Sequence, residues 1–168
     1  MDQLIYRFAT AHDVEALIEL RMAFLGELAG AEAEDRELRR ALRDYFGAAL
    51  AAGEFVSYVA EIQGQVIAAS GMVFHLHPPS PANRSGKVAY IMNMYTIPRH
   101  RGRGIATELL ARPVAHARQN DCARAFLHAL PNARSLYQRA GFLPDDSELR
   151  LDLSNTSNDK TIELNYAL

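Results

Sequence analysis

One stretch constrains this chain more than any other: Met94 to Leu110. An apolar run ends at Pro98. Residues 99–104 then hold three arginines and two glycines, and Ile105, Leu109 and Leu110 begin a helical pattern. The spacing predicts a strand that runs into a basic, glycine-bearing turn and on into a helix. Such a turn suits an anion. The first N–H groups of a helix have no internal partners, the helix dipole is positive there, and Gly102 and Gly104 let a phosphate approach the backbone. Two nucleotide motifs fail on their own letters. A Walker A loop needs Lys-Ser or Lys-Thr after its last glycine, where Ile105 and Ala106 stand. A dinucleotide fingerprint starting at Gly102 needs Gly or Ala where Thr107 stands.

Around this stretch the chain reads as one α/β domain. At 168 residues it is long enough to bury a single core. The predicted order is β-α-α-β-β-β-α-β-α-β. A first strand covers Leu4 to Ala9, and Thr10 to Asp13 resembles a capping box that starts a helix reaching about Ala29. Glu34 to Ala51 carries an apolar stripe through Leu38, Leu42, Tyr45, Phe46 and Ala49, with a charged face opposite. Glu54 to Ile62 and Gln65 to Phe74 form a hairpin around Gln63-Gly64. His75 to Gly86, with three prolines, reads as a loop before the strand Lys87 to Ile97. A helix from Gly104 to Asn120 contains Pro113, which removes one backbone bond and crowds the carbonyl of Leu109. A strand over Ala123 to Ala129, a helix over Asn132 to Ala140 closed by Gly141, and a strand over Glu148 to Leu153 complete the domain, taken as 1–153. A polar linker from Ser154 leads to a tail, Thr161 to Leu168, that alternates like a strand and offers an edge to its own chain or to a second copy in a homodimer.

The net charge of −2 argues against a general nucleic-acid binder, so the basic turn is a local feature. The single Cys122 forms no internal disulfide, and no ligand cluster suggests a metal. No secretory signal or long apolar run is legible, so no membrane role and a cytoplasmic location are expected.

Two motifs together resemble the GCN5-related N-acetyltransferases. That family's acyl-CoA loop reads Arg/Gln-x-x-Gly-x-Gly/Ala, and Arg101, Gly104 and Ala106 fill it. Ala133-Arg134-Ser135-Leu136-Tyr137-Gln138-Arg139-Ala140-Gly141-Phe142 resembles the later signature, Ala-x-x-Leu-Tyr-x-x-x-Gly-Phe. The resemblance implies a mixed, mostly antiparallel sheet flanked by helices and splayed between the strand ending at Ile97 and the strand starting near Ala123. It implies acetyl-CoA as co-substrate, with pyrophosphate on the N–H groups of Arg101, Gly102, Arg103, Gly104, Ile105 and Ala106. The pantetheine arm would lie along the backbone of Met94, Tyr95 and Thr96. The family's asparagine contact falls at Leu130 here, and the neighbouring Asn132 is the candidate in its place. Taken alone, the helix makes Tyr137 a half-polar core residue; the family makes it the acid that protonates the departing thiolate.

The resemblance also implies a direct attack by an amine on the thioester. Many relatives carry a glutamate on the strand before the loop, where this chain has Tyr90, Ile91, Met92 and Asn93. His75, His77, Glu61, or a water held by Asn93 and Tyr90 are the candidate bases. The expected function is acetylation of a small-molecule primary amine. A non-catalytic acyl-CoA sensor and an acetyltransferase acting on protein lysines or N-termini are the alternatives.

Overall fold

The computed structural model describes residues 3–30, 34–145, 147, 149 and 151. The elements are β1 (Leu4–Phe8), α1 (Val14–Ala29), α2 (Arg36–Ala52), β2 (Phe55–Ile62), β3 (Gln65–Leu76), β4 (Lys87–Thr96), α3 (Ile105–Gln119), β5 (Arg124–Phe126) and α4 (Arg134–Arg139), with short 3₁₀ turns at Ala11–Asp13, Pro98–His100 and Pro131–Ala133. The sheet order is β1-β2-β3-β4-β5. The first four strands form an antiparallel meander, and β5 joins β4 in parallel after the α3 crossover. Gln63 and Gly64 both have positive φ, as the two-residue hairpin turn between β2 and β3 requires.

Each face of the sheet is covered. On one, Leu17, Ile18 and Met22 of α1 and Phe46 of α2 pack on Phe55, Val59, Ala69 and Tyr95. On the other, Ile105, Leu109 and Leu110 of α3 and Tyr137 of α4 pack on Tyr58, Ile67, Met72 and Ile91. β3 is therefore buried on both faces, which is why its sequence is nearly continuously apolar. Gly71 is fitted to this packing: a Cβ there would collide with the Phe55 ring.

The corner where β1 meets α1 matches the capping reading. Thr10 accepts from the His12 N–H, and Asp13 accepts from the Thr10 N–H at 2.7 Å. Arg7 grips Asp13 through two bonds of 2.8 Å and also reaches Glu61 at 2.6 Å. The guanidinium and the Thr10 donors hold the Asp13 carboxyl down at about 2. The charged face of α2 is not simply solvated: Arg43 and Arg39 cross to Glu15 and Glu19 of α1. These pairs are exposed and contribute little stability.

Pro113 sits inside α3 without ending it. The carbonyl of Leu109 loses its helical donor to the proline, and the buried Ser70 Oγ donates to it instead at 2.8 Å. A side chain of the sheet thus repairs the bond that the helix cannot make.

Three predicted boundaries move. β3 runs to Leu76, so His75 is a strand residue and not part of the loop; its extra residues pair with Lys87 and Val88 of β4, a partner that local composition does not reveal. β5 spans three residues and not seven, because its pairing to β4 stops early. The last helix begins at Arg134, preceded by a 3₁₀ turn at Pro131–Ala133. Of the predicted strand 148–153, only Leu149 and Leu151 are described; both are exposed and lie outside any strand. The linker and tail, 154–168, lie outside the described residues. No helix among the described residues is long and apolar enough to cross a membrane.

Candidate active site

β4 changes character along its length. Val88, Ala89 and Tyr90 pair with Arg124, Ala125 and Phe126 of β5. Beyond Tyr90, β4 continues to Thr96, and no described strand pairs with that edge. On its other side β4 stays paired to β3, with one irregularity: Ala69 faces Tyr95 and Gly71 faces Met92. Ser70 therefore stands opposite two residues, Asn93 and Met94. This is a β-bulge, and Asn93 takes the positive φ of 52° that it needs. Asparagine tolerates that conformation better than most residues. The bulge redirects β4 at the point where its edge becomes free.

The strand ends at the basic turn. Gly102 and Gly104 have φ of 76° and 78°, which favour glycine, and Gly104 is the N-cap of α3. No side chain caps this helix. The N–H groups of residues 102–106 have no acceptor among the described hydrogen bonds, and residues 101–104 are exposed. Buried Ile105 anchors the turn from below. The side chain of Arg101 points away from the turn's open face: it donates to the Thr96 carbonyl at 2.8 Å and holds both Glu27 oxygens at 2.9 Å. Tyr95 donates to the same Glu27 at 2.7 Å. Arg101 is a strut that fastens the turn to α1, leaving backbone N–H groups as the turn's free donors. His100 lies between Arg99 and Arg103; its burial and these two cations push its pKa down.

Across the free edge stands Tyr137. Its ring is buried against Phe142, and among the described residues its hydroxyl meets only the Met94 Sδ, at 3.8 Å. Burial raises its pKa, so the phenol stays protonated through the neutral range. It is brought to the bulge of β4, 43 residues away in sequence.

On the opposite face, where the β4–β5 pairing ends, a second group gathers. Tyr90 stacks on Phe126 and its hydroxyl shares a 2.8 Å hydrogen bond with His128 Nδ1. His75 packs against both Tyr90 and Phe126. A groove of about 940 Å³ follows β5 and is lined by His75, Phe126, His128, Tyr137 and Phe142 among others. His77 also borders this groove, whereas Asn132 is exposed on the 3₁₀ turn before α4. Asn93 is partly buried at the bulge, and its side chain makes no hydrogen bond among the described residues. Glu61 is not at the gap; it is paired with Arg7 on β2, two strands away from β4. Among the described residues no three His, Cys, Asp or Glu side chains stand together as a metal site.

Residues 14–142 match the model of the acetyltransferase (GNAT) family. The chain belongs to that family. GNAT structures share its fold closely. A predicted acetyltransferase of Clostridium acetobutylicum, solved with acetyl-CoA, is 34% identical, with 90% of this chain and 97% of that one covered and a TM-score of 0.82. A GCN5-related N-acetyltransferase of Ralstonia eutropha JMP134 is 30% identical over 91% of this chain and all of that one, with a TM-score of 0.80. Glucosamine-6-phosphate N-acetyltransferase of Arabidopsis thaliana, at 15% identity, TM-score 0.70 and coverages of 90% and 99%, shares the fold alone. No curated protein matches the sequence. The protein is a GNAT N-acetyltransferase, and its mixed sheet is that of its relatives.

Sequence reasoning missed Phe126 and His128 at this site, and it passed over Arg21 of α1. One signal was legible. Leu17, Ile18, Phe24 and Leu25 mark the apolar stripe of α1, and Arg21 falls on that stripe, where a solvent-facing charge does not belong.

Proposed function

We propose that the protein transfers the acetyl group of acetyl-CoA to a primary amine of a small molecule, across the gap between β4 and β5. The observation that carries this reading is the free β4 edge with the Tyr137 hydroxyl against it. Bound acetyl-CoA supplies an activated acyl group as a thioester. The chain's residues fit that molecule at both ends. The open N–H groups of residues 102–106 are donors for a pyrophosphate, and no side chain competes for them. The edge of β4 at Met94, Tyr95 and Thr96 that faces away from β3 offers an extended, amide-bearing arm the bonds of another strand, apart from the Thr96 carbonyl that Arg101 takes. A main-chain N–H near the bulge, at Met94 or Tyr95, faces the developing oxyanion. Tyr137, protonated and dry, gives its proton to the leaving sulfur. With Glu61 committed to Arg7, Tyr90 and His128 are the polar pair on the far side of the gap. They take the proton of the attacking amine directly or through a water.

Calorimetry and thiol release test this together. Acetyl-CoA should bind the native protein, and Gly104→Val should weaken it at least 100-fold. A β-branched residue resists the positive φ and pushes a side chain toward the anion. Thiol should be released with small amines in preference to lysine peptides. Unchanged affinity in a folded Gly104→Val variant sinks the turn assignment, and release confined to peptides sinks the small-molecule reading.

A further inference from the structure

Five of the arginines in this fold hold carboxylates: Arg7, Arg39, Arg43, Arg101 and Arg112. Arg21 does not. It sits on the inward stripe of α1, one turn beyond the buried Leu17 and Ile18, and is itself partly buried. Its guanidinium lies over the Phe24 ring, 5.4 Å from the centroid. No hydrogen bond or ion pair to it is present among the described residues. A guanidinium carries five donors and stays charged, so partial burial without an anion is costly. Burial accordingly lowers its pKa, and the one group that opposes this is the Tyr90 phenol. The Phe24 ring in turn packs edge-on against Tyr95 of β4, at 6.1 Å, so Arg21 lies over the face of β4 that α1 covers. The donors are not sealed in: among the described residues no buried side-chain nitrogen lacks a partner, so those of Arg21 keep contact with solvent.

Position gives this unmatched charge a meaning. α1 covers the face of β4 opposite Tyr137, so Arg21 stands on the side of the sheet that carries the Tyr90–Phe126–His128 group. We propose that Arg21 is the specificity residue of the acceptor site, and that the acceptor is a small amine bearing a carboxylate, an amino acid or close analogue. The carboxylate pairs with the Arg21 fork, and the amine is directed at the Tyr90–His128 pair and the gap beyond. A single guanidinium with no second cation suits a singly charged carboxylate better than a phosphate dianion. The inference rests on the acetyl-transfer reading for the role of the gap.

Binding and turnover separate the two. With coenzyme A saturating, titrate amino acids, their carboxamides and amino-alkyl phosphates, and follow the melting temperature and calorimetric affinity. At least one amino acid should bind roughly 10- to 100-fold more tightly than its carboxamide, the range of a charge-assisted pair. Arg21→Gln should bring that ratio close to one, and Arg21→Lys should keep part of it. Should Arg21→Gln fold poorly, Arg21→Met retains the packing of the stem over Phe24 and gives the same reading. An unchanged ratio in a folded variant, equal binding of acid and amide by the native protein, or a preference for the phosphates overturns the proposal. Selective binding of amino acids with no acetyl transfer to any amine would leave Arg21 in its role and refute the transfer reading alone.

Discussion

The corner where β1 meets α1 and the gap between β4 and β5 use their polar groups in opposite ways. In the corner every partner is supplied by the chain. Arg7 holds Asp13 and Glu61, Asp13 also takes the donors of Thr10, and the cap of the first helical turn is complete. In the gap partners are withheld. Among the described residues the β4 edge beyond Tyr90 has no strand beside it, the turn at residues 102–106 keeps its N–H groups open, and the Tyr137 hydroxyl has only a sulfur. Matched groups stabilise the fold; unmatched ones cost stability and persist where a ligand completes them. Changes in the gap should therefore alter turnover with little effect on melting, and changes in the corner should do the reverse.

The largest expected effect is at Tyr137. Tyr137→Phe removes a hydroxyl whose one hydrogen-bond partner among the described residues is a thioether at 3.8 Å, so folding and acetyl-CoA affinity should stay near native. Loss of a general acid should lower the maximal rate by about 10²–10⁴-fold. Steady-state rates beside the melting temperature decide it: full turnover with a lowered melting point would make Tyr137 a packing residue and remove the contrast.

Ser70 tests the one well-matched bond beneath the bulge. Ser70→Ala strips the donor from the Leu109 carbonyl and should cost about 1–3 kcal/mol in denaturant unfolding. In a Pro113→Ala background residue 113 regains its N–H, the helix can satisfy Leu109 itself, and the cost of Ser70→Ala should fall below about 1 kcal/mol. Equal costs in both backgrounds would mean that Ser70 acts through packing and not by mending the helix.

The smallest effect belongs to the corner and appears only in acid. The Asp13 carboxyl, at about 2 in the fold, sits below its ordinary 3.8 because Arg7 and Thr10 favour the charged form. Its contribution is complete above pH 4 and is lost as pH falls through 2, since the unfolded chain takes up the proton first. That contribution amounts to roughly 2 kcal/mol. Unfolding free energies at pH 5, 3 and 2 should drop by that much more in the native protein than in Asp13→Asn, with coenzyme A affinity at neutral pH the same in both. Parallel pH curves would show that the corner pair is worth no more than an exposed one.

Much of this was written locally. The capping box at Thr10 and Asp13, the Gln63-Gly64 hairpin, the stripe of α2 and the strand–turn–helix around Gly104 all depend on neighbours within a few residues, and each formed as its spacing implied. The family, too, was legible, because its two signatures are contiguous strings. What the chain could not state by itself was partnership across the sheet. Only the tertiary structure commits Glu61 to Arg7 and Arg101 to Glu27, ends the β4–β5 pairing at Tyr90, and lets Ser70 answer for Pro113. Only the fold lays Arg21 of α1 over the Phe24 ring with no hydrogen bond or ion pair to it among the described residues. Periodicity reports which face a residue takes along its own element. Whether a charge or a strand edge on that face is matched depends on residues tens of positions away, brought near by packing that no local pattern encodes.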